Sequence, residues 1–164
     1  MNNDIVILKL AKKLSFNDAD IYPACLPSSS FAPDTTGQTC FVSGWGALEF
    51  EGSYPQTLQW VDVPMITNSK CNEQYGYITD SMICAGYDEG GKDACQSDSG
   101  GPLVCQCKCG NAMITGIVSF GQGCAWAGFA GVYTRVTVFL DWIKNNMVTT
   151  PTSEYSIFTK HIIR

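Results

Sequence analysis

The sequence predicts an all-β protein, an antiparallel barrel or sandwich that ends in one helix. Short runs of β-branched and aromatic residues recur along the 164-residue chain, and turn residues separate them at short spacing. Only one segment, near the C-terminus, places apolar residues at helical spacing. The nine cysteines are dispersed rather than paired as CxxC, which is typical of disulfides formed in an oxidising compartment.

The strands are predicted from runs of strand-forming residues. The first covers residues 4–10, which read DIVILKL, and an extended connector rich in Ser, Pro, Asp and Thr follows over residues 15–38. The further predicted strands cover residues 38–45, 58–65, 81–85, 102–107, 112–120 and 131–136.

The single predicted helix begins near Thr137, because threonine can cap a helix N-terminus. Phe139, Leu140, Ile143 and Met147 then recur at helical spacing. Pro151 stops any continuation, and residues 148–164 show no clear pattern. We therefore expect a helix that ends near residue 147, followed by a tail of unknown role.

Two classes of partner are disfavoured by charge and hydropathy patterning. Residues 111–134 carry no charged side chain, but several glycines interrupt the segment, so buried strands and loops are expected rather than a membrane helix. The net charge is −5, and no basic stripe is present that could neutralise phosphates. We expect neither membrane nor nucleic acid to be a partner.

The stretch GKDACQSDSGGPLVC, residues 91–105, has the composition of a loop around a reactive serine. Gly100 and Gly101 follow Ser99, and glycines let a backbone approach a ligand closely. The G-x-S-x-G turn of the α/β-hydrolases fits poorly, because Ser97 occupies its first position and the chain lacks strand–helix alternation.

This loop resembles the GDSGGP signature of the trypsin/chymotrypsin family of serine endopeptidases, here written SDSGGP at residues 97–102. Seven colinear pieces extend the resemblance over about residues 4–147: DIVILKL (4–10), ACLP (24–27), CFVSGWG (40–46), MICAGY (82–87), GIVSFGQGCA (116–125), GVYTRV (131–136) and DWI (141–143). The resemblance implies a double β-barrel fold. Residues 1–36 would be a remnant of the first barrel plus the interdomain connector, residues 37–147 the complete second barrel with its terminal helix, and residues 148–164 a tail.

The resemblance implies a catalytic role for four matching residues. Ser99 would be the nucleophile, and Asp4 the carboxylate that orients the catalytic histidine. The backbone N–H groups of Ser97 and Ser99 would form the oxyanion hole. Asp98 would pair with the new N-terminal amine after zymogen cleavage.

The resemblance also implies a specificity pocket. Asp93 lies six residues before the nucleophile and would form the base of the pocket, where a buried carboxylate selects Arg or Lys. Taken alone, Asp93 could equally be a solvated loop acid beside Lys92; its spacing and two wall glycines favour the pocket. The end of one strand would pair with the substrate backbone. The expected substrate contacts are Asp93, Ser119, Phe120, Gly121 and Gly131.

Six of the nine cysteines have partners implied by the resemblance: Cys40–Cys105, Cys71–Cys84 and Cys95–Cys124. Cys25 matches a cysteine that often bonds to a segment upstream of the mature protease. Cys107 and Cys109 have no counterpart; they could pair with each other, with Cys25, or with another chain. A metal site formed by Cys105, Cys107 and Cys109 is the less favoured interpretation, because no histidine is near and the compartment is expected to be oxidising. We expect no metal and no cofactor.

Two departures from the family pattern affect the expected activity. The family's catalytic histidine would precede Asp4, whereas the only histidine here is His161 in the tail. This chain is therefore expected to be an N-terminally truncated fragment. We also expect it to be inactive, because losing the histidine costs on the order of 10⁶ in turnover. Ser97 replaces a glycine whose N–H is an oxyanion donor, and loss of one such donor costs about 10²–10³ in turnover.

The sequence therefore predicts part of a secreted trypsin-like serine endopeptidase that cleaves after Arg or Lys through an acyl-enzyme. Its expected partners are polypeptide substrates, protein inhibitors and the missing N-terminal barrel of the same protein. Secretion is inferred from the cysteines and the resemblance, since residues 1–13 do not read as a signal sequence. The alternative is a non-catalytic homologue that binds or regulates other proteins, which Ser97 and the extra cysteines favour.

Overall fold

The computed structural model describes residues 1–12, 14–16, 22–35, 37–107, 110–147 and 155–158. Two short 3-10 turns cover Pro33–Thr35 and Val136–Phe139. The two helices are α1 (Asn68–Tyr75) and α2 (Leu140–Met147). The strands are β1 (Val6–Lys9), β2 (Thr39–Gly44), β3 (Gln59–Ile66), β4 (Met82–Ala85), β5 (Pro102–Gln106), β6 (Ala112–Phe120), β7 (Gly131–Arg135) and β8 (Tyr155–Phe158).

Six strands close into one antiparallel barrel in the order β2-β3-β4-β7-β6-β5. This confirms the predicted fold class, and each predicted strand agrees with the observed one to within two residues. The pairing shifts register between Leu103 and Val104 and again between Val118 and Phe120. Such irregularities bend a strand and re-aim the side chains beside them, and the second one lies next to the serine loop.

The barrel core follows from the two-residue period of the strands. On β2, Cys40 and Val42 are buried while their neighbours Thr39 and Phe41 face outward. The inward residues of the six strands form one cluster, which holds Cys40, Val42, Val63, Met65, Ile83, Ala85, Leu103, Cys105, Val118 and Tyr133.

The prediction that Thr137 caps the late helix is wrong. A 3-10 turn begins at Val136, its capping position is Arg135 with no side-chain bond, and α2 begins only at Leu140. Packing explains the early turn, because Val136 and Ile143 are buried together against Ile117 of β6. Burial of Val136 brings the chain into a tight turn before the helical period starts.

Helix α1 was not predicted, because its sequence NSKCNEQY has no apolar period and only Cys71 is buried. Its ends carry the local signals. The Thr67 side chain accepts a hydrogen bond from the N–H of Lys70, which caps the N-terminus, and Gly76 ends the helix at φ +77°.

Outside the barrel, β1 pairs with β8 in a two-stranded antiparallel sheet, with Val6 opposite Phe158 and Lys9 opposite Tyr155. The sequence showed no pattern for this tail strand. The rest of the tail, including His161, lies outside the described residues. No helix within the described ranges has the length and apolar content to cross a membrane.

All three disulfides that the resemblance implied are present: Cys40–Cys105, Cys71–Cys84 and Cys95–Cys124. Within the described part of the chain Cys25 carries a free, exposed thiol, so it is not the partner of Cys107. Cys107 is disulfide-bonded, and Cys109 lies outside the described residues.

Candidate active site

The loop that carries Ser99 is built from two consecutive tight turns. The N–H of Asp98 donates to the Cys95 carbonyl at 3.0 Å, and the N–H of Gly101 donates to the Asp98 carbonyl at 2.8 Å. The disulfide from Cys95 to Cys124 ties the start of the loop to the segment after β6. Ser99 is therefore held on a braced turn rather than on a free loop.

Strand β6 holds the other side of the same loop. The N–H of Gly100 donates to the Val118 carbonyl, and the N–H of Val118 donates to the Gly101 carbonyl, both at 3.0 Å. This reciprocal pair aligns the loop with the end of β6. Consequently Ser99 and Ser119 line one cavity.

Asp4 is anchored on the same side of the barrel. The Ser119 hydroxyl donates to Asp4 Oδ2 at 2.6 Å, and the Thr134 hydroxyl donates to the Asp4 backbone carbonyl, also at 2.6 Å. The structure thus brings Asp4, residue 119 and the Ser99 loop together, although Asp4 and Ser99 lie far apart in sequence. Asp4 lies just before β1 rather than inside the predicted strand.

The backbone at Ser97 is strained. Its φ is +74°, a left-handed conformation that glycine adopts readily and serine rarely does. Among the described residues, the N–H groups of Ser97 and Ser99 donate to no acceptor. Both amides are therefore available to an oxyanion.

The Asp98 carboxylate is held by backbone donors from two segments. Its Oδ1 accepts from the N–H of Gly46 at 2.8 Å, and its Oδ2 accepts from the N–H of Cys95 at 3.0 Å. A Cβ at Gly44 would lie 2.0 Å from Asp98 Oδ1 and one at Gly46 would lie 2.4 Å from Asp98 Cγ, so both positions need glycine. A cavity of about 360 Å³ borders this carboxylate.

The cavity beside Ser99 has a volume of about 210 Å³ and contains all the residues expected to contact substrate. Asp93 is held there by two backbone donors, the N–H of Ala94 to Oδ1 at 2.8 Å and the N–H of Ala125 to Oδ2 at 3.1 Å. A Cβ at Gly131 would lie 2.5 Å from Asp93 Oδ1, whereas one at Gly121 would lie 3.9 Å from Oδ2. Glycine at residue 131 therefore keeps the carboxylate accessible.

The electrostatics of this cavity favour a cation. Burial raises the pKa of Asp93 to about 6; its two backbone hydrogen bonds oppose the rise and the charge of Asp98 adds to it. The hydroxyl of Tyr133, which lines the same cavity, is buried without a hydrogen-bond partner among the described residues. Burial and the charges of Asp93 and Asp98 hold the pKa of Tyr133 well above its usual value. A positively charged group would compensate the carboxylate and could give the hydroxyl a partner.

The residues expected to pair with the substrate backbone, 119–121, lie at the end of β6 and directly after it. An aromatic cluster supports them. Phe120 stacks on Tyr77 with an interplanar angle of 19° and meets Tyr75 edge-on. The Tyr75 hydroxyl donates to the Ala130 carbonyl at 2.7 Å and accepts from the N–H of Gln122 at 3.2 Å. Tyr75 thereby positions both ends of the loop that lines the cavity.

Sequence reasoning missed three residues of this region. Tyr75 lies in the helix that the sequence did not predict. Phe50 lines the Asp93 cavity and contacts Trp126, yet neither belongs to a motif. No local signal could have identified these residues, because each acts through contacts between segments distant in sequence.

The described residues contain no histidine, and the chain's single histidine, His161, lies outside them. Ser99 therefore has no imidazole partner in the described part of the chain. The same ranges place no group of three or more His, Cys, Asp or Glu side chains where they could hold a metal ion.

Several known proteins are similar to this chain in sequence. The family model for trypsin matches residues 1–143. Trypsin-1 of Astacus astacus is 47% identical over 150 residues, which are 90% of this chain and 61% of that protein. Trypsin of Xenopus laevis is 46% identical and Trypsin-3 of Homo sapiens 44% identical, each over 149 residues and 90% of this chain, covering 58% and 46% of those proteins. The chain spans about half the length of the curated relatives it matches.

Proposed function

This chain belongs to the trypsin family of serine proteases, and from that premise we propose that it carries the nucleophile and the specificity pocket of an endopeptidase that cleaves after Arg or Lys. One observation carries the proposal: Asp93 and Ser99 line the same cavity, and no cation compensates Asp93 among the described residues. A basic side chain that reaches Asp93 would leave its own peptide carbonyl near Ser99.

The selectivity follows from the cost of leaving a carboxylate without a partner. The raised pKa of Asp93 means that the cavity disfavours its ionised form, and a guanidinium or ammonium group would relieve that cost. An apolar side chain would leave the carboxylate uncompensated, and an acidic one would add repulsion. Glycine at residues 121 and 131 leaves room for a long side chain.

In the proposed reaction, Ser99 Oγ attacks the substrate carbonyl, its proton passes to a base, and the amine leaves with that proton to give an acyl-enzyme, which water then hydrolyses. The free N–H groups of Ser97 and Ser99 would bind the oxyanion. Asp4, accepting from Ser119, would orient the imidazole that acts as base.

We propose that this base is a histidine on the N-terminal barrel of the same protein, which is then a required partner. Without this histidine the remaining groups accelerate hydrolysis only about 10³–10⁴-fold over the reaction in water. We therefore expect no protease activity from this chain by itself. Asp98, beside a cavity of about 360 Å³, would receive the N-terminal amine formed on activation. Three disulfides support an extracellular location, because such bonds persist in oxidising compartments.

Calorimetric binding of benzamidine, a planar cation on an aromatic ring, tests the pocket without requiring turnover. We expect the unsubstituted chain to bind it and Asp93→Asn to abolish binding, whereas Ser99→Ala leaves it unchanged. Binding that survives Asp93→Asn would contradict the proposed specificity.

Hydrolysis of an arginyl p-nitroanilide tests the base. We expect the chain to be no faster than Ser99→Ala, and a chain supplemented with the histidine-bearing barrel to be active. Turnover of the chain alone that disappears in His161→Ala would show instead that the tail histidine serves as the base.

The second candidate, a non-catalytic homologue that binds or regulates proteins, is favoured by Ser97. A side chain at φ +74° at an oxyanion donor is strained and can crowd the substrate carbonyl. The two functions separate in the supplemented protein, because the homologue would bind benzamidine without hydrolysing the anilide.

A further inference from the structure

Two aromatic side chains meet beside the Asp93 cavity, and one of them lines it. The rings of Phe50 and Trp126 are 5.6 Å apart between centroids and cross at 62°, an edge-to-face arrangement. Phe50 lines the cavity together with Asp93 and Ser99. Both rings remain substantially exposed, at 42% for Phe50 and 45% for Trp126. We call this pair the aromatic rim.

Phe50 is held in place by the segment that precedes the serine. The N–H of Ala47 donates to the Gln96 carbonyl at 2.8 Å, and the N–H of Glu51 donates to Gln96 Oε1 at 2.6 Å. A turn from Glu49 to Gly52, closed at 2.9 Å, lies between these anchors. The segment that carries Phe50 is thus tied to Gln96, which forms part of one wall of the cavity.

Trp126 packs on Gly123, which forms part of another wall of the cavity. A Cβ at Gly123 would lie 2.3 Å from Trp126 Cε2, so the indole packs directly on the backbone at a glycine with φ +68°. The aromatic rim therefore bridges the two walls that the Cys95–Cys124 disulfide also joins.

We propose that the aromatic rim is a binding surface for an apolar or aromatic group attached to the basic side chain that Asp93 holds. This inference rests on the proposed function, since it requires a cation at Asp93. Asp93 would bind the charged end of the ligand's basic side chain. The rim would contact the apolar or aromatic group attached to the other end of that side chain. Covering two exposed rings with an apolar group removes apolar surface from water, which a short cation seated on Asp93 cannot do.

Two ligands with the same cationic end separate the two contributions. Butylguanidine offers Asp93 a cation on a four-carbon chain, whereas N-benzoyl-4-aminobutylguanidine adds an aromatic amide at the far end of that chain, where the proposal places the rim. We expect the unsubstituted chain to bind the benzoyl compound about fivefold more tightly by calorimetry, the range of an aromatic contact. Phe50→Ala and Trp126→Ala should each reduce that ratio to below twofold. Phe50→Leu should retain part of the ratio.

Phe41 provides a matched control. It is 44% exposed, its ring lies 5.6 Å from that of Trp60 at 58°, and it does not line the cavity. Phe41→Ala should therefore leave the ratio unchanged. Two results would overturn the proposed role of the rim while leaving the proposed function intact. The first is an affinity ratio near one in the unsubstituted chain. The second is a ratio that survives both rim substitutions while Asp93→Asn abolishes binding of both compounds. If neither compound binds the unsubstituted chain, the proposed function fails and the rim fails with it.

Discussion

The contribution of Asp93 to the stability of this protein should fall as the pH rises from acidic to neutral, and Asp93→Asn isolates the effect. Burial raises the pKa of Asp93 from 3.8 to about 6 in the folded chain. Because the folded state binds this proton more tightly than the unfolded state does, the favourable contribution is complete below pH 3.8 and is lost as the pH rises to about 6. Asparagine carries no such charge and shows no such loss.

The magnitude follows from the shift. One pKa unit corresponds to about 1.4 kcal/mol, so the shift from 3.8 to about 6 amounts to up to about 3 kcal/mol of unfolding free energy. The substitution also disturbs the hydrogen bonds from Ala94 and Ala125, at a cost of about 1 kcal/mol that does not depend on pH. The unfolding free energy of Asp93→Asn minus that of the unsubstituted chain should therefore rise by up to about 3 kcal/mol between pH 3.5 and pH 7.

Urea unfolding followed by tryptophan fluorescence over a pH series measures this difference. Asp62→Asn is a control of opposite sign, because hydrogen bonds from Lys92 and Tyr87 lower the pKa of Asp62 to about 2. That substitution should destabilise the chain at neutral pH and lose its effect as the pH falls toward 2. A difference for Asp93→Asn that stays constant from pH 3.5 to 7 would refute the reasoning, since the carboxylate would then be solvated in both states.

Three further outcomes follow from the same geometry. Benzamidine affinity should fall about tenfold per pH unit well below pH 6, because protonation of Asp93 removes its charge; calorimetry that finds the affinity unchanged down to pH 4.5 would argue against a role for the carboxylate. Ser97→Gly should raise the unfolding free energy by about 1 kcal/mol, because glycine tolerates the φ of +74°; urea titration checks this, and a loss of stability would count against strain there. Gly131→Ala should weaken benzamidine binding more than tenfold by calorimetry, because its Cβ would lie 2.5 Å from Asp93 Oδ1; Gly121→Ala, whose Cβ would lie at an ordinary contact distance of 3.9 Å from Asp93 Oδ2, should weaken it far less, and equal losses would contradict the reasoning.

Much of the barrel could be predicted from the sequence. The strands were located because runs of strand-forming residues and the turn residues between them are visible locally. Helix α1 escaped because its sequence has no apolar period, since Cys71 is its one fully buried residue. The start of the last helix was misplaced because the burial of Val136, a contact with β6, outweighs the capping preference of Thr137.

The candidate site likewise has a part that could be predicted from the sequence and a part that could not. The residues of the serine loop and the pocket were identified from a motif, and the motif also implied three disulfide pairs that the structure contains. The left-handed backbone at Ser97, the Asp4–Ser119 contact and the uncompensated environment of Asp93 could not be deduced from spacing. The aromatic rim had no sequence signal at all.

The sequence by itself determined which side chains are present, which of them alternate, and which short motif they compose. These properties are local, so the fold class and the serine loop could be read from the chain. Tertiary structure alone decided which distant segments meet: Asp4 with the end of β6, Phe50 with Trp126, and Asp93 with the walls at residues 121 and 131. A pKa near 6 at Asp93 exists only after the barrel closes, because it is the exclusion of water from the cavity that penalises the charge.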